Sequence, residues 1–171
     1  TYFYYITDKL TMIQAITESP FNIYVQTEDN RINITVASTQ IRHLVKFTND
    51  LDKSVQYAYG FSENIYDRYT LISMYYSTPP SVYSGRTKLF PAGYWKYEVY
   101  EVSWVGTVTI NSGNAPVTED DVLSPAADTK GVVQGLVTKG KMYLAEKDGT
   151  QQVQYTQRQE PSGTNYIYYG Q

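Results

Sequence analysis

Twelve consecutive residues, Gly93-Tyr94-Trp95-Lys96-Tyr97-Glu98-Val99-Tyr100-Glu101-Val102-Ser103-Trp104, hold both tryptophans and three of the nineteen tyrosines of the chain. Trp95, Tyr97 and Val99 alternate with Lys96 and Glu98, the period-two pattern of a strand with one face in a core and the other in water. Beyond Val99 the parity flips, so that Tyr100, Val102 and Trp104 become the apolar set and Glu101 and Ser103 the polar one. Either a one-residue bulge near Val99 or Tyr100 keeps both halves facing one core, or the strand is regular and both of its faces are covered. In both cases the stretch reads as the central strand of a β-sandwich.

A chain of 171 residues is one domain, or one domain with a substantial arm, and is long enough for a sizeable core. The absence of cysteine excludes disulfides, thiol catalysis and thiolate metal sites, so stability has to come from burial or assembly. Tyrosine combines large apolar area with a hydroxyl that needs a partner when buried, which suits thin sandwiches and subunit interfaces. A net charge of −3 gives no support for a nucleic-acid-binding surface. No stretch has the apolar length of a membrane helix, and Thr1-Tyr2-Phe3-Tyr4-Tyr5-Ile6 lacks the charged start and cleavage site of a signal peptide. The expectation is a chain made and used without export, with neither nucleic acid nor membrane as a partner.

Taken in order, residues 1–20 form an N-terminal arm or added strand. The aromatic run Thr1 to Ile6 pairs with the main sheet or docks on a neighbour, and the β-branched residues within Leu10 to Thr17 favour a strand. Residues 21–171 make the sandwich. Phe21, Ile23 and Val25, then the turn Thr27-Glu28-Asp29-Asn30, then Ile32, Ile34 and Val36 predict a hairpin. Ile41 to Phe47 is a strand with His43, Val45 and Phe47 on one face, followed by the turn Asn49 to Lys53. Val55, Tyr57, Tyr59 and Phe61 share a face of the next strand, Ser62-Glu63-Asn64 is a polar turn, and Arg68 to Tyr76 is a further strand. Pro79-Pro80 and Ser84-Gly85 mark an irregular crossover over 77–91. Residues 111–130 form a long polar loop, which in an assembly protein would be an arm that reaches a neighbour. Val132 to Val137 and Lys141 to Lys147 bracket a break at Lys139-Gly140, Asp148-Gly149 turns the chain into Gln152 to Gln157, and Tyr166 to Tyr169 is a terminal strand. About ten short strands with turn signals at intervals of roughly 8–12 residues are the pattern of an all-β sandwich. The corner Pro91-Ala92-Gly93 before Trp95 and Tyr97 resembles the one preceding strand F of immunoglobulin-like domains, so an immunoglobulin-like β-sandwich is expected, with Trp95, Tyr97, Val99, Phe47, Tyr57 and Tyr59 in its core.

The search for chemistry returns no catalytic constellation. His43 is the single histidine; it has no second His or Cys to share a metal, and a structural role on the strand face outweighs a catalytic one. Glu119-Asp120-Asp121 lacks the alternating ligands and glycine turn of a calcium loop and reads as solvated. Glu98 and Glu101 point to different faces, which argues against a glycosidase pair. Lys139-Gly140-Lys141 lacks the setting of a phosphate loop, and Asn33-Ile34-Thr35 matches a glycosylation acceptor by chance. Aromatic faces on an open sheet could stack on sugar rings, although core and interface use explains most of the tyrosines. The expectation is a non-enzymatic protein with no cofactor and no metal.

The blocks Leu44-Val45-Lys46-Phe47-Thr48-Asn49-Asp50, Asp67-Arg68-Tyr69, Gly93 to Glu101, Gly135-Leu136-Val137-Thr138-Lys139-Gly140 and Thr164 to Gly170 resemble small virion proteins of tailed bacteriophages, including marine phages and crAss-like phages of gut Bacteroidota. The matching blocks cover most of the chain from about Ile41 onward. The resemblance implies an auxiliary (cement) capsid protein, assembled in the host cytoplasm and located in the virion. It would bind the major capsid protein, other virion proteins and its own copies. Tyr2, Phe3, Tyr4 and Tyr5, together with Pro116, Val122 and Leu123 in the long loop, are the candidate contact residues. A tail or head-fibre attachment subunit and a carbohydrate-binding adhesion module are the alternative expectations.

Overall fold

Nine strands run through residues 12–148, the part of the chain that the computed structural model describes. They are β1 (Ile13–Ile16), β2 (Phe21–Val25), β3 (Ile41–Asn49), β4 (Val55–Tyr59), β5 (Ser62–Ile65), β6 (Thr70–Tyr76), β7 (Arg86–Thr87), β8 (Gly93–Ser103) and β9 (Val132–Ala145). Five of them form one sheet in the order β1-β9-β8-β3-β4, and the second sheet has the order β2-β6-β5 with β7 beside β6. The two sheets pack face to face, so the protein is an all-β sandwich.

Strand β8 is the middle strand of the larger sheet. Its ladder with β3 runs unbroken from Ile41 opposite Ser103 to Asn49 opposite Trp95, so β8 itself is regular. The irregularities lie in its other ladder, between Val99 and Tyr100 and between Glu101 and Val102, where β9 carries the extra residue each time. The parity flip is therefore accommodated by burial on both faces. Trp95, Tyr97 and Val99 face the smaller sheet and pack with Val45, Phe47, Ile23, Ile72, Met74 and Met142 between the layers. Val102 points the other way, and with Trp104, Leu44 and Tyr59 it forms a second cluster that also buries Ala115 of the long loop.

The long loop is thus a layer of the body rather than an arm. Gly131 N–H donates to Asn114 O at 2.7 Å, the Trp104 indole N–H donates to the same carbonyl at 3.3 Å, and Tyr59 O–H donates to Pro116 O at 2.5 Å. Residues 104–131 hold these positions through such specific bonds, because they form no strand of their own.

Several sequence expectations are corrected. The hairpin predicted over Phe21 to Val36 does not form: β2 pairs with β6, setting Phe21 opposite Met74 and Ile23 opposite Ile72. The alternating Ile32, Ile34 and Val36 lie in a loop, with Ile34 81% exposed. The backbone N–H groups of Ile32 and Asn33 are instead taken by the Glu101 carboxylate at 3.1 and 2.8 Å, and the Arg31 guanidinium ties the carbonyls of Asn33 and Val36. Ser62-Glu63-Asn64 is not a turn but most of β5. Lys139-Gly140 breaks nothing: Gly140 sits opposite Tyr97 inside β9, because β8 is long enough to pair both halves. Tyr57 and Tyr59 lie on the outer face of β4, opposite Lys46 and Leu44. Tyr59 is a core residue as expected, but in the second cluster rather than between the sheets, whereas Tyr57 is only half-buried beside it. The expected strand near Leu10 to Thr17 is β1, added in parallel to the edge of β9. Tyr2, Phe3, Tyr4 and Tyr5 and the strands predicted at Gln152 to Gln157 and Tyr166 to Tyr169 lie outside the described residues.

Gly131 tests the second cluster. A Cβ there would stand 2.7 Å from Cζ2 and 2.8 Å from Cε2 of Trp104. Gly131→Ala is expected to cost about 1–3 kcal/mol through overpacking, measured by urea unfolding followed by tryptophan fluorescence. An unchanged midpoint would show that the loop does not rest on Trp104.

Candidate binding cleft

The cleft arises where β4 leaves the larger sheet. β4 pairs with β3 from Val55 opposite Thr48 to Tyr59 opposite Leu44; Gly60 and Phe61 then carry the chain across to the smaller sheet, where it continues as β5. β3 runs on to Ile41. Arg42 and His43 are left with β8 on one side and, among the described residues, no strand on the other.

Glu63 fills the inner half of the vacated place. One carboxylate oxygen accepts the His43 backbone N–H at 2.7 Å and the other lies 2.9 Å from His43 Nδ1. Both side chains are almost fully buried, at 2% and 3% exposure, and the pair joins β3 of one sheet to β5 of the other. A buried acceptor that meets a backbone donor and a ring nitrogen together offsets the desolvation of both partners, whereas losing it would leave two polar groups stranded. His43 therefore sits where the sequence places a structural histidine.

The outer half stays open as a cleft of about 440 Å³ lined by Arg42, Phe61, Ser62, Tyr83, Ser84 and Ile110, with Gly60 and Glu63 at its floor. Its wall is set by Gly85, in the left-handed region at φ 68°, where a Cβ would collide with the backbone of Phe61. The turn Val82–Ser84 can thus lie directly on the Gly60-Phe61 crossing and present Tyr83 and Ser84 at the rim. The exposed Phe61 ring is held edge-on to Tyr75, with centroids 4.6 Å apart.

A charged network latches the long loop to the outer face of the larger sheet. Lys46 Nζ lies 2.7 Å from Glu119 Oε1, and Tyr57 O–H donates to Glu119 Oε2. Tyr100 O–H donates to Glu98 at 2.9 Å, and Glu98 lies 3.9 Å from Lys46. The bond to Glu119 raises the Lys46 pKa against the opposing effect of burial. Burial disfavours the charged form of Glu119, but the Lys46 and Tyr57 bonds outweigh it and hold the carboxyl below its ordinary value. Burial and then the bond to Glu119 push the Tyr57 phenol up. Asp121 is lowered chiefly by the Val117 N–H, and also accepts from the N–H and hydroxyl of Thr118. Two of the three acids expected to be solvated are therefore structural, and Asp120 alone is exposed.

The expected contact residues do not converge on this cleft. Pro116 is buried over Tyr59, Leu123 is half-buried and Val122 is 90% exposed. Glu98 and Glu101 lie on opposite faces of β8, as read from the sequence, and Glu101 is spent on the loop backbone. Asn33 of the acceptor motif folds onto its own turn, taking Thr35 N–H and O–H at 3.0 and 2.7 Å. Among the described residues no group of three acids or histidines could hold a metal ion. Sequence reasoning missed Arg42, Phe61, Ser62, Glu63, Tyr83 and Ser84; Gly60 and Gly85 were its available signals. A second set of exposed rings is formed by Tyr66 and Tyr69 at the β5–β6 turn and Tyr24 of the adjoining β2, with centroids 5.5 Å apart for Tyr24 and Tyr69 and 5.0 Å for Tyr66 and Tyr69. No protein-family model, no curated protein and no solved structure matches this chain.

Two outcomes follow from these contacts. Glu63→Ala is expected to lose about 3–5 kcal/mol in urea unfolding and Glu63→Gln, which keeps an acceptor for His43 N–H, distinctly less; a loss within about 0.5 kcal/mol for the alanine variant contradicts the role of the pair. Glu119 has its folded pKa held below 4.5. Its stabilisation is complete above the unfolded value and is lost as the pH falls through the lower folded one. The urea midpoint of the wild type should fall more between about pH 7 and about pH 3 than that of Glu119→Gln, and equal falls contradict the latch.

Proposed function

We propose that this chain is a structural subunit of a phage virion, an auxiliary capsid protein that binds the assembled major capsid lattice and stabilises it. The likeness of its aromatic blocks to small virion proteins supports this reading from the sequence. From the fold, the supporting observation is the half of the larger sheet's outer face that no described residue covers. The long loop covers the end of the outer face near Trp104, while Ile16 and Tyr94 stand exposed at the other end, with the Tyr94 ring 5.1 Å from that of Tyr143. Beside them β1 ends the sheet, with no further strand of that sheet beyond it among the described residues. An edge that no described strand covers, next to an aromatic pair, is suited to strand addition and to aromatic anchoring on a neighbour, and assembly would relieve the aggregation hazard of such an edge.

The mechanism is mass action: a subunit that binds the lattice but not free capsid protein stabilises the lattice. Purified virions, separated into heads and tails and quantified by mass spectrometry, should hold this chain in the head fraction at a copy number of the same order as the major capsid protein. A few copies following the tails would overturn the capsid role and favour a tail or fibre-attachment subunit. The exposed tyrosines at and beside the β5–β6 turn favour a second reading, a carbohydrate-binding adhesion module, because exposed ring surface is what sugar C–H groups stack upon.

A further inference from the structure

We propose that the cleft beside Arg42 binds an acidic sugar, with Arg42 taking the carboxylate of a uronate-type ring and Phe61 its apolar face. This gives the adhesion reading a site and a ligand class. Its test is made on the isolated full chain, so its failure leaves the virion reading untouched.

Arg42 is a cation with no acid paired to it among the described residues. Its Nη1 donates only to the backbone carbonyls of Ile41 at 2.8 Å and Thr39 at 3.4 Å. Among the described residues no carboxylate lies within ion-pair distance of it, and Nε and Nη2 make no hydrogen bond. The planar fork that remains matches a carboxylate in geometry as well as charge. Glu63 is the carboxylate in the lining, and both of its oxygens are turned inward onto His43.

The rest of the lining offers side chains rather than backbone. Phe61 N–H is committed to Ser73 O at 2.8 Å, His43 N–H to Glu63, and Arg86 N–H to Ser81 O at 3.2 Å. None of these three donors is free for strand addition by a peptide. The hydroxyls of Ser62, Tyr83 and Ser84 make no hydrogen bond among the described residues, and the ring of Phe61 is 54% exposed at the mouth. A free guanidinium, three uncommitted hydroxyls and one ring face form a donor set suited to a polyhydroxylated ring that carries a carboxylate. The volume of about 440 Å³ falls within the usual range for small-ligand sites.

The test is isothermal titration of the purified chain with an oligogalacturonate and with its neutral methyl ester. Saturable binding of the acid, with the ester at least about tenfold weaker, is expected from the loss of a charge-assisted hydrogen bond. Arg42→Gln should weaken binding of the acid by a similar factor, and Phe61→Ala, at an exposed ring, should weaken acid and ester alike. No saturable binding of the acid overturns the proposal, as does equal affinity for the ester. A peptide with a free C-terminal carboxylate that binds as well as the acid overturns the sugar assignment. The comparison of acid with ester uses the wild type, so it holds even if Arg42→Gln does not fold.

Discussion

The structure depends on burying both faces of one strand. β8 supplies Trp95, Tyr97 and Val99 to the core between the sheets and Val102 to the cluster beneath the long loop. A sandwich of this size would ordinarily bury one face of each sheet and leave the other to water. Here the outer face of the larger sheet receives a second covering, made of irregular chain and held by Trp104, Ala115, Gly131 and the latch at Glu119. The regular ladder from β8 to β3 is possible only because neither parity has to be hidden by a bulge in β8. The extra residues fall on β9 instead.

The second covering explains how polar groups are spent in this protein. Acids that look solvated in the sequence are ligands for the fold: Glu63 for His43, Glu101 for the backbone of Ile32 and Asn33, Glu119 for Lys46 and Tyr57, and Asp121 for its own turn. Each meets donors that would otherwise be stranded where a strand ends or a loop crosses the sheet. Arg42 differs: it lies where β4 has left the sheet, and the one acid beside it, Glu63, is turned onto His43, so that no described acid pairs with it.

What could be read from the sequence follows from the range of the interactions involved. The alternation in β3 and β8 is local, and it placed Phe47, Trp95, Tyr97 and Val99 on the faces that the structure buries. Partner choice is not local. Phe21, Ile23 and Val25 form a strand as their spacing indicates, but Met74 and Ile72 of β6 offer them an apolar face that the nearer Ile32 and Ile34 do not. β5 was hidden because its one inward acid is held by the backbone N–H and ring of a residue twenty positions away. Tyr57 and Tyr59 have the period of a core face, yet the face they share is the one beneath the loop. The cleft was illegible for a related reason: it is formed by a strand leaving a sheet, an event marked in the sequence only by Gly60 and Gly85.

With the long loop built into the body, the apolar surfaces left exposed among the described residues lie on the far half of the larger sheet's outer face, at Ile16 and Tyr94, and on the aromatic rims of the smaller sheet. Native-state hydrogen exchange tests that claim most directly. If the loop is a second covering, Gly131 N–H, which donates to Asn114 O, and the Trp104 indole N–H, which donates to the same carbonyl, should be protected to nearly the same degree as the amides of β8. Exchange of these two protons as fast as that of an open loop, with β8 still protected, would contradict the account and return residues 111–130 to the role of an arm.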